Sequence, residues 1–155
     1  MTTPEEALAL ASRVNGRSEL ADIRLVKSSI ENLGFPEADS RLNYDLKIQP
    51  ATRYSAEDGI VIVEVEFSLS IRAASGEEQD DVATVAEISF THAALFTTSE
   101  EDLIAEDELD IFGKTTGVLA IYPYAREYVQ DITGRLGLPP LVLDLYKVTR
   151  EQLED

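Results

Sequence analysis

Apolar and polar positions alternate most cleanly over residues 61–72. Val61, Val63, Val65, Phe67, Leu69 and Ile71 share one parity, and Glu64, Glu66, Ser68, Ser70 and Arg72 share the other. A period of two with one polar side predicts a half-buried strand of an antiparallel sheet. Three further segments read as strands. Ile23 and Leu25 alternate, then Val26, Ser28 and Ile30 alternate in the opposite phase, which predicts a bulge. Tyr44, Leu46 and Ile48 alternate with Asp45, Lys47 and Gln49, and Pro50, which has no N–H to donate, is expected to stop that strand. Ala86, Ile88, Phe90, Ala94 and Phe96 share one parity within residues 82–97. Residues 32–41, with Gly34 and Pro36, read as a loop, and Gly76-Glu77-Glu78 as a turn. Four consecutive strands joined by turns predict an antiparallel meander.

Helical spacing flanks this block. Thr2 and Thr3 offer hydroxyl caps, Pro4 suits a first turn, and Glu5 and Glu6 complement the positive end of the helix dipole. A short helix is predicted from Pro4 to Val14, ended by Asn15-Gly16. Ser99 to Asp110 is acidic with Leu103, Ile104 and Leu109 embedded, and reads as a short helix capped by Ser99 or as a loop. Val118, Leu119, Tyr122, Ala125, Val129, Ile132 and Leu136 then predict a helix over Thr115–Arg135. Pro123 lies inside it, so a kink or break near Ala120 is expected. Residues 134–140 read as a loop, 141–145 as extended and 149–155 as a last short helix. Strands first and helices after place the chain in the α+β class, as a single domain over residues 1–155 with an additional N-terminal helix in 1–18.

Charge narrows the list of partners. The 155 residues carry a formal net charge of −17. Twelve acids and no Lys or Arg fall between Ala73 and Gly113. Such a balance disfavours nucleic acid and anionic membrane surfaces, because both are bound through Lys and Arg. There is no Cys, hence no disulfide frame and no thiol nucleophile. No signal peptide and no apolar run long enough for a membrane span is read, so a cytoplasmic protein is expected.

Candidate chemistry is sparse. His92, the one histidine, falls on the apolar side of the fourth strand. It is a general base or metal ligand on one reading and a structural imidazole on the other. No second ligand type stands at a metal-binding spacing, which favours the structural reading. Asp80-Asp81 and Glu106-Asp107-Glu108 lack the alternating pattern of a calcium loop, and no glycine cluster cradles phosphate. No catalytic residue, metal or cofactor is expected. An enzyme built on His92 and Glu87 is the rival from another class.

Tyr122-Pro123-Tyr124-Ala125-Arg126-Glu127, followed by Gly134-Arg135-Leu136-Gly137-Leu138-Pro139-Pro140-Leu141, resembles the signature region of SecB, the bacterial export chaperone. Four preceding strands and Ala93-Ala94-Leu95-Phe96 at the end of the fourth occur in matching order. The resemblance implies a four-stranded antiparallel sheet, with a long kinked helix and a short C-terminal helix packed on one face. It implies a tetramer built as a dimer of dimers. It also implies an ATP-independent holdase that binds unfolded polypeptide in an apolar groove. By position, that groove corresponds to Phe35 after the first strand, Tyr44, Leu46 and Ile48 on the second, and Leu136, Leu138 and Leu141 after the long helix. The family offers acids to the export motor SecA. Glu31 and Glu87 stand on those faces, whereas Lys27 and Ser89 replace acids there. The N-terminal helix and the Tyr-Pro-Tyr variant are closer to SecB-like chaperones that protect an antitoxin, which makes a dedicated antitoxin chaperone the alternative. An oligomeric scaffold without a client is the remaining one.

Overall fold

The strict alternation of residues 61–72 lies inside an interior strand of a four-stranded sheet. The computed structural model describes residues 3–75, 81–99 and 103–147. In chain order the elements are α1 (Pro4–Asn15), β1 (Ser18–Asn32), β2 (Arg41–Ser55), β3 (Ile60–Ser75) and β4 (Asp81–Thr98). There follow α2 (Glu106–Phe112), a π-helical segment (Gly113–Gly117) and α3 (Val118–Arg135). The predicted helix over 149–155 and the turn at 76–78 lie outside the described residues.

The strand order is β1-β4-β3-β2. β2, β3 and β4 follow one another as expected, but β1 pairs with β4, so the four strands are not a simple meander. The loop 33–40 is longer than the roughly two- to five-residue connections that form hairpins, so β1 is free to pair elsewhere. β1 and β2 are therefore the two edges. β2 also continues through Pro50 to Ser55 instead of stopping there. An edge strand tolerates proline, because its outward N–H positions need no partner within the sheet. β1 starts at Ser18, ahead of the predicted Ile23, and is exposed from Arg24 to its end. The predicted change of phase near Leu25 thus has no burial signature.

The described residues group into two compact units. The first comprises Met1–Arg24, Pro50–Val65 and His92–Asp155, and the second Leu25–Gln49 and Glu66–Thr91. In the second, Phe67, Leu69, Ile71, Ile88 and Phe90 are buried, and the rings of Phe67 and Phe90 stack with centroids 5.0 Å apart. These are the alternating apolar positions of β3 and β4.

In the first unit, α1 begins with a capping box. The Thr3 hydroxyl accepts the Glu6 N–H at 3.2 Å, and the Glu6 carboxylate accepts the Thr3 N–H at 2.8 Å. That backbone donor holds the Glu6 carboxyl below its ordinary range. Ala7, Ala11 and Val14 form the buried stripe of α1, which packs on α2.

The acidic segment is helical from Glu106, and its N-cap is Ala105, not the predicted Ser99. α3 runs unbroken past Pro123. The irregular turn is one step earlier, at Gly113–Gly117, where the helix widens. Both glycines are required there by close approach to strands. A Cβ on Gly117 would lie 2.6 Å from Val63 Cγ1, and one on Gly113 would overlap the Thr52 hydroxyl. Phe112 then reaches Phe96 edge-on, with centroids 4.9 Å apart.

Candidate functional site

Within the second unit, Tyr44, Leu46 and Ile48 share one face of β2 and are half-buried, whereas Asp45, Lys47 and Gln49 are exposed on the other. The polar face is tied by Arg72 to Asp45 at 2.6 Å. The loop after β1 is anchored by the Leu33 N–H donating to the Val85 carbonyl at 2.8 Å, and by the Gly34 N–H donating to Asn32 Oδ1 at 3.2 Å. It presents Phe35 to solvent at 95% exposure. Phe35, Leu33, Pro36, Ala73, Val82 and Val85 line an open cavity of about 360 Å³. Glu37, Ser40, Ser75 and Thr84 line it as well, so the cavity is mixed in character, with Phe35 as its exposed aromatic side chain.

The first unit holds the other expected contact residues. α3 ends in a Schellman motif. Gly137 takes a left-handed φ of 77°, its N–H donates to Gly134 O at 3.1 Å, and the Leu138 N–H donates to Thr133 O at 3.0 Å. Thr133 is fully buried. Its hydroxyl donates to Val129 O at 2.8 Å and accepts the Leu141 N–H at 2.9 Å. One threonine therefore fixes the path of residues 138–141. Leu136 and Leu141 are half-buried, while Leu138 is buried at 7% exposure. Further on, the Tyr122 hydroxyl donates to the Asp144 carbonyl, and the Tyr122 and Tyr146 rings lie 5.3 Å apart. The Tyr146 hydroxyl donates to Lys114 O at 3.4 Å, and Leu143 is buried. Val142 and Leu145 face outward.

Glu31, Glu87 and His92 are the remaining candidates. Glu31 is exposed on β1, and Glu87 on β4 accepts a hydrogen bond from the Ser70 hydroxyl at 3.0 Å. His92 is buried at 5% exposure with its ring edge-on to Tyr128, centroids 6.0 Å apart. Burial lowers its pKa from the ordinary 6.5, which keeps it neutral. Among the described residues, no group of His, Asp and Glu is arranged to hold a metal ion. Likewise no described helix is long and apolar enough to cross a membrane.

Sequence patterning had not singled out Thr133, Tyr146 or the Gly113 and Gly117 pair. The glycine pair has a sequence signal, two small residues four apart at the head of a helix. Thr133 has none, because a threonine inside a helical pattern looks the same whether its hydroxyl meets water or a returning loop.

Comparison with known proteins decides the family. The family model for preprotein translocase subunit SecB matches residues 26–148. The chain belongs to the SecB family. It is 35% identical over 147 residues to the SecB-like chaperone Rv1957 of Mycobacterium tuberculosis, spanning 88% of this chain and 81% of that one. It is 30% identical to the protein-export protein SecB of Hyphomonas neptunium over 75% of this chain and 64% of that one. A solved structure of Rv1957, in complex with a peptide from the HigA1 antitoxin, superposes with a TM-score of 0.81. It covers 91% of this chain and 99% of that one. The SecB fold expected from Tyr122–Glu127 and the strands before it is thus the fold of the family. α1 lies ahead of the residues that the SecB model matches.

Proposed function

We propose that this SecB-family chain is an ATP-independent holdase that binds unfolded polypeptide segments through apolar surface. The observation that carries the reading is the likeness, over 91% of the chain, to a chaperone solved with a peptide bound. Phe35, Tyr44, Leu46, Ile48, Leu136 and Leu141 supply client contacts, and Leu138, buried in the chain alone, anchors the loop that follows α3. The acids keep chaperone and client in solution by self-repulsion. Holding stabilises the unfolded client by mass action and needs no catalytic group. The protein works in the cytoplasm as a dimer of dimers. Exposed Leu20, Leu25, Val26 and Ile30 on edge strand β1 support a partner along that edge. Clients include proteins on their way to export, with Glu31 and Glu87 as the acids available to the motor SecA.

A second reading, a chaperone dedicated to one antitoxin, is favoured by the HigA1 peptide in the Rv1957 structure. The two differ in client range.

Light scattering from an aggregating client tests the holdase. Stoichiometric chain is expected to suppress scattering, and Leu46→Ser with Ile48→Ser is expected to raise the amount needed roughly threefold to tenfold while far-UV circular dichroism shows the chain still folded. No suppression by the unaltered chain would overturn the reading. Suppression confined to a single antitoxin among several clients would favour the dedicated chaperone.

A further inference from the structure

We propose that α1 occupies a second client surface, a strip on α2, and is displaced by unfolded segments that carry apolar residues beside an arginine or lysine. The inference rests on the holdase reading and adds a site and its regulation.

Three features of the contact point to it. First, the side chains that α1 places on α2 are small: Ala7 and Ala11 meet Ile111, and Val14, fully buried, is the largest side chain of the buried stripe. Second, its polar part is an ionic clasp at long range. Arg13 Nη1 lies 3.4 Å from Glu108 Oε1, and Arg17 Nη1 lies 4.0 Å from Glu108 Oε2. Glu108 is itself buried, with its side chain 11% exposed, and Glu106, Asp107 and Asp110 stand on the same short helix. A carboxylate in that setting needs a cation close by, but the cation need not come from α1. Third, α1 is twelve residues long, a length at which an isolated helix is marginal in water. Its order depends on docking. Leu8, at 55% exposure, leaves most of its surface outside that docking.

α1 therefore shows what the strip accepts: small apolar side chains at one helical turn's spacing, followed by guanidinium groups that reach Glu108. An unfolded client segment of that composition makes the same contacts, and a longer apolar side chain than alanine makes more of them over Ile111.

The test uses the full chain with Arg13→Glu and Arg17→Glu, which oppose Glu108. Amide hydrogen exchange is expected to speed up over residues 4–15 while β3 and α3 stay protected. A fluorescein-labelled, reduced and carboxymethylated lactalbumin is expected to bind at least threefold more tightly. A synthetic peptide of residues 4–17 is expected to bind this variant at least tenfold better than the unaltered chain, and to be displaced by the lactalbumin. Adding Glu108→Arg should return both affinities to their starting values. The same charge change at exposed Arg24 and Arg135 should leave them unmoved. Client affinity that stays level while α1 opens would overturn the proposal. If the charge reversal leaves α1 protected, Ala7→Asp with Ala11→Asp forces a charge into the buried contact. Protection that survives this second variant shows a fixed contact and also overturns the proposal. Failure of the unaltered chain to bind lactalbumin at all would instead count against the holdase reading.

Discussion

The two edges of the sheet are built on different rules. β2 alternates along its whole length, half-buried at Tyr44, Leu46 and Ile48 and exposed between them, with Pro50 removing one outward donor. Its exposed positions include Lys47 and Arg53, and Arg53 pairs with Glu64 at 2.6 Å. Those are the devices by which an edge avoids pairing with another chain. β1 has few of them. From Leu25 to Asn32 every residue is exposed, and Leu25, Val26 and Ile30 are large and apolar. Val26 and Ile30 share one face, and Leu25 stands on the other beside Lys27 and Glu31, so one side of this edge is the more apolar. An edge left open in this way is either a hazard or an interface. In a chain of net charge −17, whose self-repulsion opposes non-specific association, interface is the consistent answer.

The largest effect is expected where the sheet that carries both edges meets the helical segment. Gly117→Val would drive a branched side chain into Val63, at a backbone approach that already excludes a Cβ. A loss of about 3 kcal/mol or more, read by urea unfolding, is expected. A loss below about 1 kcal/mol would mean that the π-helical segment shifts freely.

Next comes the open edge. Val26→Lys with Ile30→Lys should break the association along β1 and halve the native mass to that of a dimer in native mass spectrometry, with far-UV circular dichroism unchanged. Unchanged native mass would place the interface elsewhere. The converse experiment is milder. Pro50→Val restores an outward donor to β2 and a residue with better strand propensity. A slow rise in species larger than the native assembly is expected on sedimentation, and none should form from the unaltered chain.

The smallest effect concerns β4, the strand beside β1. His92 is neutral because burial lowers its pKa below 6.5. Below pH 6.5 the unfolded chain takes up a proton that the folded chain refuses, so stability falls as the pH is lowered through that value. The fall levels off once the pH is below the folded pKa. The slope is at most one proton, about 1.4 kcal/mol per pH unit. His92→Gln should flatten this part of the stability profile, and an unchanged profile would assign it to the carboxylates.

What the sequence made legible follows from how local each signal is. The alternation of β3 was unambiguous because both faces of a central strand answer to it: Val61–Ile71 odd positions are buried and the polar set is not. The capped start of α1 depends on Thr3 and Glu6 alone. The order of strands was hidden, because nothing in residues 33–40 says which edge the chain returns to. Pro50 misled for the same reason. Its effect depends on whether the strand is central or at an edge, which is a property of the sheet and not of the residue. Pro123 marked the long helix as irregular, but the widened turn falls at Gly113–Gly117, where the glycines let the backbone meet Thr52 and Val63. Among the candidate contacts, Leu136, Leu138 and Leu141 looked equivalent in sequence. The Thr133 hydroxyl and the Schellman turn separate them by burying Leu138.

Native mass measured with and without one unfolded client bears most directly on the holdase. The account predicts a complex near four protomers that gains the mass of a client and keeps its own assembly. A chain that stays unliganded beside an aggregating client, whatever its assembly, would contradict it.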